Sequence, residues 1–353
     1  MIADSIQKLV EGRNLTYREA SEVMQEIMSE KVTSSQIAAL LTALRMKGET
    51  VEEITAFAEV MRQLCSRISP NVGGRLVDTC GTGGDRTKTF NVSTAAAFVI
   101  AGAGVPIAKH GNRAVTSRSG SADVLERLGF NLNMQAVDVQ KAIEQVGIGF
   151  MFAPAFHPAM KHVAGTRREL GIRTVFNILG PLTNPASATA QLLGVYDRNL
   201  TSVLAHVLKN LGCEEAMVVH GMDGLDEVST LGKTSIARLR NGEVTMTETS
   251  PRDFGVQRAE LRELEVATPD ESAEVIFRIL SGCCDANDPK REIVLVNASA
   301  GIIVGGKAEN FNHGMELAMT SIDSGAAYGK LKKLVRVSGG NTTKLEELES
   351  KYD

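Results

Sequence analysis

The segment Asp78-Thr79-Cys80-Gly81-Thr82-Gly83-Gly84-Asp85 carries a short apolar strand, Leu76-Val77-Asp78-Thr79, into glycines, and a helix opens beyond it near Asn91-Val92-Ser93-Thr94. Glycines let a backbone approach a ligand closely and take positive φ. Their amides, with the positive end of the following helix, form an anion cradle to which Ser93 and Thr94 add hydroxyls. Two familiar nucleotide loops do not fit. A G-x-G-x-x-G beginning at Gly81 would need glycine where Arg86 stands, and Thr87 rather than glycine precedes Lys88. A plain glycine-rich turn with Asn91 or Ser93 as N-cap is the bland alternative.

Lys109-His110-Gly111-Asn112-Arg113-Ala114-Val115-Thr116-Ser117-Arg118-Ser119-Gly120-Ser121 follows the apolar run Val105–Ala108 and interleaves cations with short hydroxyl residues. That is the makeup of an oxyanion site, or else of a solvated basic loop. At the carboxyl end of a strand it would stand where open α/β sheets bind ligands. Asp223-Gly224-Leu225-Asp226-Glu227 puts hard oxygen donors on a glycine-bent loop, which suits Mg²⁺ as well as it suits an acidic surface turn. Arg167-Arg168-Glu169 ends a helical stretch before the apolar run from Thr174 to Pro185, so an arginine fork could hold an aromatic carboxylate against an apolar wall. His157, His162, His206, His220 and His313 lack metal-ligand spacing and read as structural or surface residues. No Gly-x-Ser-x-Gly elbow exists and Cys80 has no evident base partner, which argues against nucleophilic catalysis.

These segments need elements to hold them. Three capping boxes, Thr16-Tyr17-Arg18-Glu19, Thr33-Ser34-Ser35-Gln36 and Thr50-Val51-Glu52-Glu53, each precede apolar residues at helical spacing, so the first seventy residues read as helices. Ser69–Gly74 breaks that pattern as a linker. Beyond Arg75 short apolar runs at Gln191–Tyr196, Ala216–His220 and Glu292–Asn297 read as strands alternating with helices, and Asn241-Gly242 signals a hairpin. The segment after Ser338 reads as a short helix or loose tail.

The fold class is therefore α/β: a small all-helical domain plus a larger α/β domain with a central, mainly parallel sheet covered by helices. The boundaries expected are 1–72 for the helical domain, joined by helices from about 165–188, with 73–164 and 189–353 forming the α/β domain. The 353 residues suit two domains. A net charge of −4 argues against a nucleic-acid binder. No apolar run is long enough for a membrane span, and the N-terminus has no signal-peptide pattern. Five scattered cysteines fit reduced thiols in a cytoplasmic protein.

Six blocks in this order, Cys80–Asp85, Asn91–Thr94, Lys109–Arg113, Ser119–Asp123, Phe176–Pro185 and Asp223–Glu227, closely resemble the anthranilate phosphoribosyltransferase family. The resemblance runs to about Val337. It implies transfer of phosphoribose from 5-phosphoribosyl-1-diphosphate (PRPP) to anthranilate in tryptophan biosynthesis, with Mg²⁺ as cofactor, two ions being expected. It also implies a homodimer formed through the helical domain and leaves room for association with anthranilate synthase. Carried over by motif, PRPP would be bound by Gly81, Gly84, Asp85, Thr89, Asn91, Val92, Ser93, Thr94, Lys109, His110, Gly111, Asn112, Arg113, Ala114, Val115, Thr116, Ser117 and Ser121. Ser93, Asp226 and Glu227 would serve the metal, while Gly81, Asn112 and Arg167 would contact anthranilate. No general base is assigned, because an aromatic amine already offers a lone pair. Arg86 stands where the family often has glycine, and Arg118 where lysine is common.

Overall fold

The computed structural model describes residues 1–83, 87, 89–114 and 119–352. Four helices lead the chain: α1 (Ile2–Val10), α2 (Tyr17–Met28), α3 (Ser34–Lys47) and α4 (Val51–Leu64). All three capping boxes form as expected. Thr16, Thr33 and Thr50 each accept the amide three residues on, and Glu19, Gln36 and Glu53 reach back to close the box. Each box satisfies two backbone amides that the helix itself cannot.

The α/β grammar then begins with β1 (Val77–Gly81), α5 (Val92–Gly102), β2 (Ile107–Gly111), α6 (Ser121–Arg127), α7 (Ala136–Val146) and β3 (Ile148–Phe152). A helical return follows through α8 (Ala153–Phe156), α9 (Lys161–Leu170) and α10 (Phe176–Leu182). Next come β4 (Ala190–Gly194), α11 (Asn199–Asn210), β5 (Glu215–Gly221) and the hairpin β6 (Thr234–Arg240) and β7 (Glu243–Thr249). Six helices finish the chain: α12 (Leu261–Leu264), α13 (Pro269–Ser281), α14 (Pro289–Val304), α15 (Phe311–Asp323), α16 (Ala326–Val337) and α17 (Thr343–Tyr352).

The seven strands form one sheet in the order β3-β2-β1-β4-β5-β6-β7. Pairing is parallel from β3 to β5 and antiparallel beyond. The hairpin turns at Asn241 and Gly242, whose φ of 53° and 77° are the positive values a tight two-residue turn requires. The strand order reverses at β1, whose neighbours are β2 on one side and β4 on the other, so its carboxyl end is the switch point where such sheets bind ligands.

Two apolar cores flank the sheet. One packs α5, α7, α13, α14 and α16 on one face. The other joins α1–α4 with Val163, Phe176, Ile178 and Leu179 from the return segment, and with α11 and the opposite face of β4, β5 and β6.

Two expectations need correction. Glu292–Asn297 is not a strand but the middle of α14, buried from Ile293 to Val304. A short run such as Ile293-Val294-Leu295-Val296 has the same apolar content in a buried strand and in a helix enclosed on all sides. Asp288-Pro289 is the better signal: Asp288 caps the helix by accepting the Lys290 amide, and proline fits the first turn. Strand β3, which the sequence pattern did not announce, follows directly from the left-handed C-cap Gly147 and pairs with β2 from Ile107 opposite Ile148.

Candidate functional site

At the carboxyl edge of β1 the chain is tightly packed against the acidic loop. Gly81 and Gly194 are paired across β1 and β4, and both face Asp226. A Cβ on Gly194 would lie 1.5 Å from the Asp226 carbonyl oxygen, and one on Gly81 would lie 2.3 Å from Asp226 Oδ2. At Gly194 the obstacle is backbone and only glycine fits, whereas a Cβ at Gly81 would displace the Asp226 carboxylate. Asp226 Oδ2 accepts the Gly83 amide at 2.9 Å, so the glycine segment and the acidic loop are bonded directly. Burial raises the Asp226 carboxyl above its ordinary value.

Side chains alternate across the pleat, so β1 and β2 present two different sets. Thr79 and Lys109 point to the α5 face. The Lys109 amine donates to the Thr79 carbonyl at 2.5 Å and to Ser93 Oγ at 3.3 Å. Burial lowers its affinity for the proton, against the opposing pull of Asp78 and Glu227. Lys109 thus stands among Ser93, at the start of α5, and the acidic loop. Asn91 occupies the N-cap position of α5 without a side-chain cap bond. Its amide side chain instead receives Ser119 and Ser272 hydroxyls and donates to the Ser119 carbonyl. Val92 and Thr94 are buried, and Thr94 Oγ1 has no hydrogen-bond partner among the described residues. Thr89 bridges to Glu265.

Asp78, Cys80, His110 and Gln191 point the other way, beneath α10. The His110 ring lies 5.0 Å from that of His157, and each leaves Nε2 without a hydrogen-bond partner among the described residues. Burial holds both neutral, lowering His110 to about 3 and His157 to about 4. Asp78 accepts the His110 amide at 3.2 Å, and burial pushes its carboxyl up to about 6. The sequence marks His157 only as structural or superficial. Its position against His110 has no local signal, because forty-odd residues of chain separate them.

The remaining expected site residues are more scattered. Gly111 ends β2. Asn112 is exposed and its Oδ1 accepts the Arg113 amide. The Arg113 guanidinium is engaged by Asp123 and Glu126, and the Ala114 amide donates to Asp123. Ser121 donates to the Asn112 carbonyl. Gly84, Asp85, Val115, Thr116 and Ser117 lie outside the described residues, as do Arg86 and Arg118. Arg167 sits on α9 with its guanidinium 5.5 Å from the Phe176 ring centre. It makes no ion pair among the described residues, and burial is what lowers its proton affinity. A half-buried guanidinium on an aromatic face, with no acid partner among those residues, is prepared for a planar carboxylate.

No cluster of three or more His, Cys, Asp or Glu suited to a metal is present among the described residues. Two adjacent carboxylates are compatible with Mg²⁺, which retains waters and shares substrate oxygens. No helix among the described residues is long and apolar enough to cross a membrane.

Residues 73–328 match the α/β domain of a glycosyl transferase family, and residues 3–65 match the helical bundle domain of that family. The anthranilate phosphoribosyltransferase of Acetivibrio thermocellus is 52% identical over 95% of this chain and 96% of its own. The crystal structure of the Thermus thermophilus enzyme superimposes with a TM-score of 0.89 at 41% identity, covering 95% of this chain and 99% of that one. The Saccharomyces cerevisiae enzyme in complex with PRPP and Mg gives 0.88 at 30% identity, covering 96% and 98%. With such likeness along nearly its whole length, the chain belongs to the anthranilate phosphoribosyltransferase family.

Proposed function

We propose that this chain transfers the 5-phosphoribosyl group of PRPP to the amine of anthranilate, releasing diphosphate and N-(5-phosphoribosyl)anthranilate in tryptophan biosynthesis. The observation that carries the reading is one edge of the sheet. Glycine amides, Lys109 and the Asp226-Glu227 pair gather on one side of β1, and an arginine with no acid partner among the described residues stands against Phe176. A yeast relative has been solved with PRPP and Mg, and also with 4-fluoroanthranilate, which supports the same pair of ligands here.

In this reading Gly81, Gly84, Asp85, Thr89, Asn91–Thr94, Lys109–Ser117 and Ser121 hold PRPP, and Gly81, Asn112 and Arg167 hold anthranilate. Asp226, Glu227 and Ser93 would hold Mg²⁺, with two ions expected; bound there, it would neutralise the diphosphate as a leaving group. The protein's own work is then electrostatic and positional. The amides of the glycine segment and the Lys109 charge stabilise negative charge leaving C1 of the ribose. Arg167 fixes the carboxylate so that the amine meets C1 as the sugar gains oxocarbenium character. No side chain need remove a proton before attack.

The proposed division keeps 1–72 and about 165–188 as the helical domain, which the shared packing of Phe176, Ile178 and Leu179 with α1–α4 supports. Exposed Val10, Met46 and Leu64 support a homodimer through that domain. Five unpaired cysteines accord with a cytoplasmic location.

Incubation with PRPP, Mg²⁺ and anthranilate tests the reading: anthranilate fluorescence should fall only when all three are present. Unchanged fluorescence together with phosphorolysis of uridine or thymidine would instead make the chain a pyrimidine nucleoside phosphorylase.

A further inference from the structure

The carboxyl end of α10 is held in an unusual way. A helix leaves its last carbonyls without intrahelical donors, and most such ends are finished by a glycine turn or by water. Here Thr183 returns its own amide and hydroxyl to the Gly180 carbonyl, and side chains from other parts of the chain reach the carbonyls around it. The His110 ring of β2 bonds the Gly180 backbone, and the His157 ring bonds that of Thr183. Arg62 of α4 donates from Nε to the Leu182 carbonyl at 2.7 Å and from Nη1 to the Leu211 carbonyl at 3.3 Å. Gln191 of β4 donates from Nε2 to the Pro181 carbonyl at 2.7 Å.

Gln191 differs from the other three in its second contact. The same Nε2 lies 3.1 Å from Cys80 Sγ, one residue before Gly81. Gln191 is buried, and its strand is in register with β1 at Asp78. One amide therefore touches both the strand that leads into the glycine segment and the helix that begins at Phe176 under Arg167.

We propose that Gln191 is a positioning residue for the transfer reaction: its amide ties α10 to β1 and so sets the distance between the anthranilate wall and the PRPP-binding glycines. The inference rests on the assignment of those two halves made above. Gln191 touches neither substrate in this account. Its loss leaves the Pro181 carbonyl buried and unpaired, and α10 relieves this by shifting away from β1. The arginine and aromatic wall move with it, whereas the glycine segment stays fixed by Gly83, Gly194 and Asp226.

Gln191→Met preserves length and volume but removes the donor, and Gln191→Asn keeps an amide that is one methylene too short. Both variants are compared with the parent by steady-state kinetics in each substrate and by thermal melting, with Arg167→Ala run alongside. The expected result for the Gln191 variants is a KM for anthranilate raised about tenfold, with KM for PRPP and kcat within about twofold. If the methionine variant does not fold, the asparagine variant supplies the same readout. Parallel rises in both KM values, an unchanged anthranilate KM, or failure of both variants to fold would overturn the proposal. A rise in Arg167→Ala alone would sink the tie and leave the site assignment standing. No rise in any of the three would sink the assignment itself.

Discussion

The two faces of β1 and β2 at their carboxyl edge are built by different means. On the α5 face, Thr79, Ser93 and Lys109 come from a stretch of about thirty residues and meet through short contacts between neighbouring strands and the helix that joins them. On the α10 face, Asp78, Cys80, His110, His157, Asn184 and Gln191 come from five separate segments and meet only through the tertiary fold. The first face is rich in small residues and backbone amides and carries the polar groups suited to diphosphate. The second is a buried polar layer whose main task is to satisfy carbonyls of α10 and of β2. The difference teaches that a cluster suited to an anion can be encoded locally, whereas a buried polar layer that holds a helix against the sheet is a matter of long-range assembly.

Removing the acidic loop's charge breaks the first face most severely. Asp226→Asn combined with Glu227→Gln should lower kcat/KM for PRPP by about 10²–10³-fold at limiting Mg²⁺. Near-normal turnover across an Mg²⁺ titration would remove the metal role from these residues. A smaller effect is expected from Gly194→Ala, whose new methyl would collide with the Asp226 backbone. Displacing that loop should cost about 1–3 kcal/mol in stability, read by denaturant unfolding, and raise KM for PRPP more than KM for anthranilate. Equal stability with unaltered KM would show that the glycine pair is not what seats the loop.

The smallest effect belongs to the second face. His110 and His157 are held neutral in the fold, at about 3 and about 4 against an ordinary 6.5. Between those values the unfolded chain binds protons that the folded chain refuses, so these residues make stability fall as pH drops from 6.5 toward 4. Asp78, raised to about 6, works in the opposite direction, because the folded carboxyl binds its proton first. His157→Gln should therefore flatten the loss of melting temperature between pH 6.5 and 4. A slope identical to the parent's would mean that His157 is not buried neutral.

Much of the fold is legible in the sequence because its signals are local. Capping boxes, the Asn241-Gly242 turn and the glycine segment each declare themselves within a few residues. Segments enclosed on every side are not legible: α14 reads as a strand because burial erases amphipathic periodicity, and β3 runs straight on from α7 with Gly147 alone between them. Among the proposed site residues, Lys109, Asp226 and Arg167 are recognisable from type and setting. Gln191 and His157 are not, since a glutamine in an apolar strand and a lone histidine have no local signature. Only the pairing of Gln191 with Pro181 and of His157 with His110 gives them meaning.

The separation of the two halves is tested most directly by initial rates of Arg167→Ala measured over a grid of PRPP and anthranilate concentrations. Arg167 has no ion pair among the described residues, so its loss should leave the scaffold intact. KM for anthranilate should rise by about 10²-fold, the cost of losing a charged partner to a carboxylate, while KM for PRPP stays within about twofold. A rise in the PRPP KM with the anthranilate KM unmoved would contradict the account.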